Sequence, residues 1–121
     1  MIRLAVLLCL SPVLGLAESW SGVLVDSKCW TNEEHNINPR DTTLFVDRDR
    51  NLEIRFCAPS PKTKSFALVP ADGVGLQLDS AGNGRAADVV RNAGKQTIYR
   101  VAITGDLAQN MLHVDSIFIL K

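Results

Sequence analysis

The sequence predicts a mainly β domain, a small five-stranded OB-like barrel with one short helix between strands 3 and 4. Three observations carry that reading. Two short runs, Leu52 to Cys57 and Tyr99 to Thr104, alternate apolar with polar residues, as half-buried strands do. Two further apolar runs flank Pro70-Ala71-Asp72-Gly73, where Asp-Gly favours a tight turn because glycine tolerates positive φ. One stretch, Arg85 to Ala93, instead repeats its apolar residues at helical spacing.

Trp20 to Asp26 reads as the first strand, with β-branched Val23 and Val25, and it ends on the polar Asp26-Ser27-Lys28. Gly22 inside it predicts a bend or bulge, the device by which a coiled strand serves two sheets. Lys28 to Arg40 is polar and irregular, holds Cys29, Trp30 and His35, and turns at Asn38-Pro39. Thr43 to Val46 and Leu52 to Phe56 are candidate strands on either side of the charged Asp47 to Asn51 turn. In the second of them Leu52, Ile54 and Phe56 alternate with Glu53, Arg55 and Cys57, a period of two. Pro59 and Pro61 stop that run.

Ser65 to Val69 and Val74 to Leu78 form the clearest hairpin. Asp79 to Gly84 reads as a loop, and Arg85 to Ala93 as a helix capped by Gly94, with Ala86, Val89, Val90 and Ala93 on one face. Tyr99, Val101 and Ile103 then alternate with Arg100, Ala102 and Thr104, and Gly105 to Asn110 connects to the last strand, Met111 to Leu120. That strand changes apolar register between Leu112/Val114 and Ile117/Ile119, which predicts a one-residue bulge at Asp115-Ser116. Taking Thr43 to Phe56 as one interrupted strand, with the clear hairpin shared between strands 2 and 3, gives three strands, a helix and two strands. That is the order of an OB-type barrel. A different small β-barrel or sandwich carrying one helix is the alternative.

The domain is expected to be residues 18–121, because residues 1–17 read as a cleavable export signal. Arg3 supplies the positive start, Leu4 to Leu10 an apolar run, and Gly15-Leu16-Ala17 a small-x-small cleavage site. That run is shorter than the roughly 20 residues a bilayer span needs, and no second run of the kind follows, so no membrane span is expected in the mature chain. The destination is periplasmic or secreted. The whole chain carries 13 basic and 13 acidic residues. Loss of Arg3 leaves a charge of about −1, without the basic stripe of a nucleic-acid binder. An apolar content of 46% belongs to a folded chain, not a disordered one. Removal of the signal also removes Cys9 and leaves Cys29 and Cys57, an even pair that an oxidising compartment most often joins in a disulfide. Free thiols or metal ligation are the other uses of such a pair.

The string Ser21-Gly22-Val23-Leu24-Val25-Asp26-Ser27-Lys28-Cys29 resembles the opening of small exported bacterial OB-fold-like proteins of unknown function, with a G-x-[LIV]-x-D-x-x-C start. The close, Tyr99 to Leu107 followed by Leu112 to Ile117, is similar to theirs as well. The resemblance covers both ends of the domain and thins between Thr31 and Phe56. It implies the barrel, export and a pairing of Cys29 with Cys57, and it implies no activity.

Chemistry-bearing residues are few. Cys29, His35, Cys57 and His113 are of the right type for zinc or thiol chemistry, but no C-x-x-C or close His pair sets ligand spacing. Nucleophile and metal-base motifs such as G-x-S-x-G and H-E-x-x-H do not occur. The expectation is therefore a binding or interaction domain without cofactor or catalytic residues, serving a small molecule, glycan or protein. Its ligand-binding candidates are Trp30, held beside Cys29, with His35 and Arg40. Arg48 and Arg50 add further possible anion contacts. A metal-binding or thiol-dependent enzyme using Cys29, His35, Cys57 and His113 is the alternative.

Overall fold

A computed structural model of the chain describes residues 18–34 and 43–120, with side chains at 18–33 and 50–120. The expected signal segment, His35, the Asn38-Pro39 turn and Arg40 lie outside the described residues, as does the side chain of Arg48. The elements in chain order are β1 (Glu18–Asp26), α1 (Ser27–Glu34), α2 (Thr43–Phe56), β2 (Phe66–Val69), β3 (Leu76–Leu78), α3 (Ser80–Ala93), β4 (Tyr99–Ala108) and β5 (Met111–Ile119). The strands close into a barrel in the order β1-β2-β3-β5-β4. All neighbours run antiparallel except β3 and β5, which are parallel. The fold is thus a five-stranded OB-like barrel.

β1 joins the barrel's two halves. Its first seven residues pair with β4 and its last four with β2, the two registers overlapping at Val23 and Leu24. Gly22 sits where the β2 backbone comes closest, since a Cβ there would lie 2.4 Å from the Val69 carbonyl oxygen. Leu24, Phe66, Leu68, Tyr99, Val101, Ile103 and Leu112 belong to the larger core cluster, and α3 adds Ala86 and Val90 to it. The Tyr99 hydroxyl, buried with its ring, donates to the Gly94 carbonyl at 2.7 Å and accepts from the Gln96 amide at 3.1 Å. That clips the connection between α3 and β4.

A second cluster accounts for the apolar runs Val23-Leu24-Val25 and Phe66-Ala67-Leu68-Val69, which lack strand alternation. Val23, Val25, Ala67 and Val69 pack with Trp30, Cys57, Cys29 and Ile54. Successive strand residues face opposite ways, so β1 and β2 are buried on both faces, inside by the barrel core and outside by the β1–β2 connection.

The structure departs from the sequence expectations in four places. Thr43–Phe56 is a helix, not an interrupted strand or hairpin, and Ser27–Glu34 is a helix where an irregular segment was expected. α3 begins at Ser80, so the expected Asp79–Gly84 loop is its first turns. Asp79 is the cap, its Oδ1 accepting from the Gly82 amide at 2.8 Å and thereby satisfying a donor the helix leaves open. The β4–β5 turn is tighter than Gly105 to Asn110. Pairing continues to Ala108 and Met111, and Gln109 and Asn110 carry positive φ, as a two-residue primed turn requires. In the same ladder Thr104 pairs with Ser116 but Gly105 with Val114, which passes over Asp115 and forms the bulge.

Candidate functional site

The β1–β2 connection is built from its capping residue upward. Asp26 ends β1, and its Oδ1 accepts the amide of Cys29 at 3.1 Å, the third helical residue of α1. This is the geometry of a helix N-cap, and it explains the D-x-x-C spacing. Oδ2 of the same side chain accepts the buried Thr63 hydroxyl at 3.0 Å, and the Asp26 amide donates to the Cys57 carbonyl at 2.8 Å. Cys29 and Cys57 are joined in a disulfide, their Cα atoms 5.5 Å apart. One aspartate and one disulfide thus fasten α1, the end of α2 and the segment before β2 to the barrel.

α2 packs through a mixed face. Arg50, Glu53, Ile54 and Cys57 recur at i, i+3, i+4, i+7, and the Cys57 amide donates to the Glu53 carbonyl at 2.8 Å to finish the last turn. Glu53 is 9% exposed and Cys57 1%, whereas Leu52 and Phe56 are 59% and 73% exposed. The residues whose alternation suggested a strand are therefore split, with Ile54 inward and its two apolar neighbours outward.

Of the sequence-derived ligand candidates, Trp30 is the one whose side chain is described. It is 3% exposed and belongs to the outer core cluster, lying against β1 and β2 instead of projecting outward. Its indole fits because residue 75 is glycine, where a Cβ would stand 2.7 Å from Nε1. It borders a hollow of 300 Å³ shared with Thr31, Arg50, Val74 and Gln77. His113 lies on β5, with Nδ1 3.6 Å from Asp79 Oδ2. Cys29 and Cys57 are bonded to each other, so neither presents a thiolate in this state. Among the described residues no group of three or more His, Cys, Asp or Glu is disposed to hold a metal ion.

A groove of 760 Å³ runs between α2 and the end of the barrel. α2 contributes Arg50, Asn51, Ile54 and Arg55; β1 contributes Ser21, Gly22 and Val23. Val69 and the Pro70–Gly73 turn close one side, and Ile98, Arg100 and Leu120 the other. Among the described residues three arginines and one aspartate, Asp72, carry its charge, a net positive balance. Oδ1 of Asp72 accepts the Val74 amide at 2.9 Å within its own turn. Arg50 lines both the groove and the smaller hollow.

Sequence reasoning named Arg50 but not Arg55 or Arg100. The alternation of β4 does mark Arg100 as outward-facing, yet nothing local says that α2 lies across the strand end and makes these residues neighbours. A second surface depression, of 740 Å³, runs beside α3 and carries Lys62, Lys64 and Arg91, the last paired with Asp88.

Fold and site together define a small, disulfide-stapled OB-like barrel with an arginine-rimmed groove beside its long β1–β2 connection. Compared with known proteins, the chain matches no family model, no curated protein and no solved structure.

Proposed function

We propose that this chain is an exported binding domain, stapled by the Cys29–Cys57 disulfide, that takes a ligand in the groove between α2 and the barrel. The observation that supports it most is the groove itself. Its size falls within the about 300 to 1,000 Å³ typical of ligand sites, and one of its walls is a helix pinned by the disulfide. A wall held in place before binding spares the ligand part of the ordering cost. Export is supported by the charged start, apolar run and small-x-small site of residues 1–17, and by a disulfide that suits an oxidising compartment. The G-x-L-x-D-x-x-C opening supports a place among small exported bacterial OB-like proteins.

The test is a fragment screen by two-dimensional NMR on protein recovered after export, whose intact mass is expected to begin at Glu18 and to lack the two thiol hydrogens. Binders are expected to shift the amides of Ile54, Ile98 and Leu120 and to compete with one another. Binders scattered over the surface, or none at the groove, would sink the binding-domain reading. A mass beginning at Met1 would sink the export reading.

A further inference from the structure

The geometry points to a ligand class for this groove: a small amphiphilic anion, with a carboxylate or phosphate head and an aliphatic body. The inference rests on the groove being the binding site and deepens that reading. Its first support is charge. Arg55 projects from α2 and Arg100 from the start of β4, both exposed at the groove and drawn from segments far apart in sequence. Among the described residues neither makes a side-chain hydrogen bond or ion pair, so both guanidinium forks remain available. Asp72, the acidic residue among the described lining, already accepts the Val74 amide. Guanidinium groups bind carboxylate and phosphate through paired, charge-assisted hydrogen bonds.

The second support is the floor. Val23, Ile54, Val69, Ile98 and Leu120 line the same groove, with Ile54 and Ile98 half-buried and Leu120 46% exposed. An aliphatic body would cover that apolar surface while its head met the rim. Among the described residues no aromatic side chain lines the groove, so nothing described there offers the ring stacking that holds sugars and nucleobases. The depression beside α3 has lysines, but its described lining holds no Val, Ile or Leu, only Pro61 and Ala87 beside its polar residues.

The test uses four probes with tails of seven or eight carbons below their micellar concentrations: octanoate, octyl phosphate, octylammonium and octyl glucoside. Titrations of the oxidised protein are followed by calorimetry and by the amide shifts of Ile54, Ile98 and Leu120. Octanoate and octyl phosphate are expected to bind at the groove at least tenfold more tightly than the other two, on the order of one charged hydrogen bond. The Arg55→Ala/Arg100→Ala variant is expected to lose about tenfold or more of that affinity. An Arg85→Ala/Lys95→Ala variant, which removes the same charge elsewhere, is expected to keep it.

Equal groove binding by octylammonium or octyl glucoside would overturn the anion assignment and leave the binding-domain reading standing. Anion binding unchanged by the Arg55/Arg100 substitutions, or lost equally in the Arg85/Lys95 variant, would also overturn it, as would silence from all four probes. Sedimentation with phosphatidylglycerol vesicles, competed by octyl phosphate, would assign the head to a lipid. Binding of the free probes without sedimentation would assign it to a soluble molecule. Either result supports the shared chemistry.

Discussion

Asp26 stands where three segments meet, and its neighbours give it separate tasks. Oδ1 caps α1 through the Cys29 amide, and Oδ2 receives the Thr63 hydroxyl. Replacing an N-cap with alanine costs about 1 kcal/mol, and a hydrogen bond to a charged acceptor contributes about 1.5 kcal/mol or more. Asp26→Ala is therefore expected to lower stability by about 2 to 3 kcal/mol in urea denaturation of the oxidised protein. Asp26→Asn, whose side-chain oxygen still caps, should recover the smaller part. A loss below about 0.5 kcal/mol, the level of ordinary surface changes, would show that neither contact holds the connection. The sequence displays the D-x-x-C spacing but not its reason, because the amide of Cys29 matters only once α1 exists. Trp30 carries a similar lesson. Its place beside Cys29 is legible, yet its burial depends on the bare backbone of Gly75, a residue 45 positions away in sequence.

At the level of elements, legibility followed how apolar the buried face is. The β2–β3 hairpin, β4 and β5 pack aliphatic and aromatic side chains, and their pattern shows in the sequence, down to the bulge at Asp115. α2 does not show, because its packed face carries Arg50 and Glu53 while Leu52 and Phe56 stay outside. The helical assignment makes a claim that a strand would reverse. In a strand Leu52, Ile54 and Phe56 would share one buried face and cost similar amounts on truncation. In the helix Phe56→Ser is expected to change stability by less than about 0.5 kcal/mol. Ile54→Ala, half-buried against Val23 and Val69, is expected to cost about 1 to 2 kcal/mol, less than a fully buried site because the residue is partly exposed. Thermal and urea unfolding of the two variants decides the matter. A Phe56→Ser loss equal to that of Ile54→Ala would contradict the helix. The start of α3 was hidden for another reason. Its first turns contain Gly82 and Gly84, poor helix formers, and form because Asp79 caps them and also accepts the Val114 amide at 3.2 Å.

For the molecule as a whole, the barrel and its β1–β2 connection differ in how they are held. The barrel closes through five strand pairings and a continuous core, whereas among the described residues α2 is anchored through Ile54, the disulfide and the residues around Arg50. Cys29 and Cys57 are 28 positions apart, and closing a loop of that length stabilises by about 3 to 4 kcal/mol on the chain-entropy estimate. Cys29→Ala/Cys57→Ala is therefore expected to lose about that much in urea denaturation, with alanine chosen so that no hydroxyl enters the apolar cluster. The loss should be unevenly spread. Amides of β1, β4 and β5 should keep their slow hydrogen exchange, while those of residues 50–56 should exchange far faster, since a weakly anchored helix of this length is marginal alone. Groove binding should weaken in step, because the helix carrying Arg55 and Ile54 would spend less time in the bound geometry. The reverse pattern, with α2 still protected and the barrel strands exposed, would mean that the disulfide braces β1 and β2 from outside. Unchanged groove affinity with α2 unprotected would mean that the groove forms from the barrel end alone.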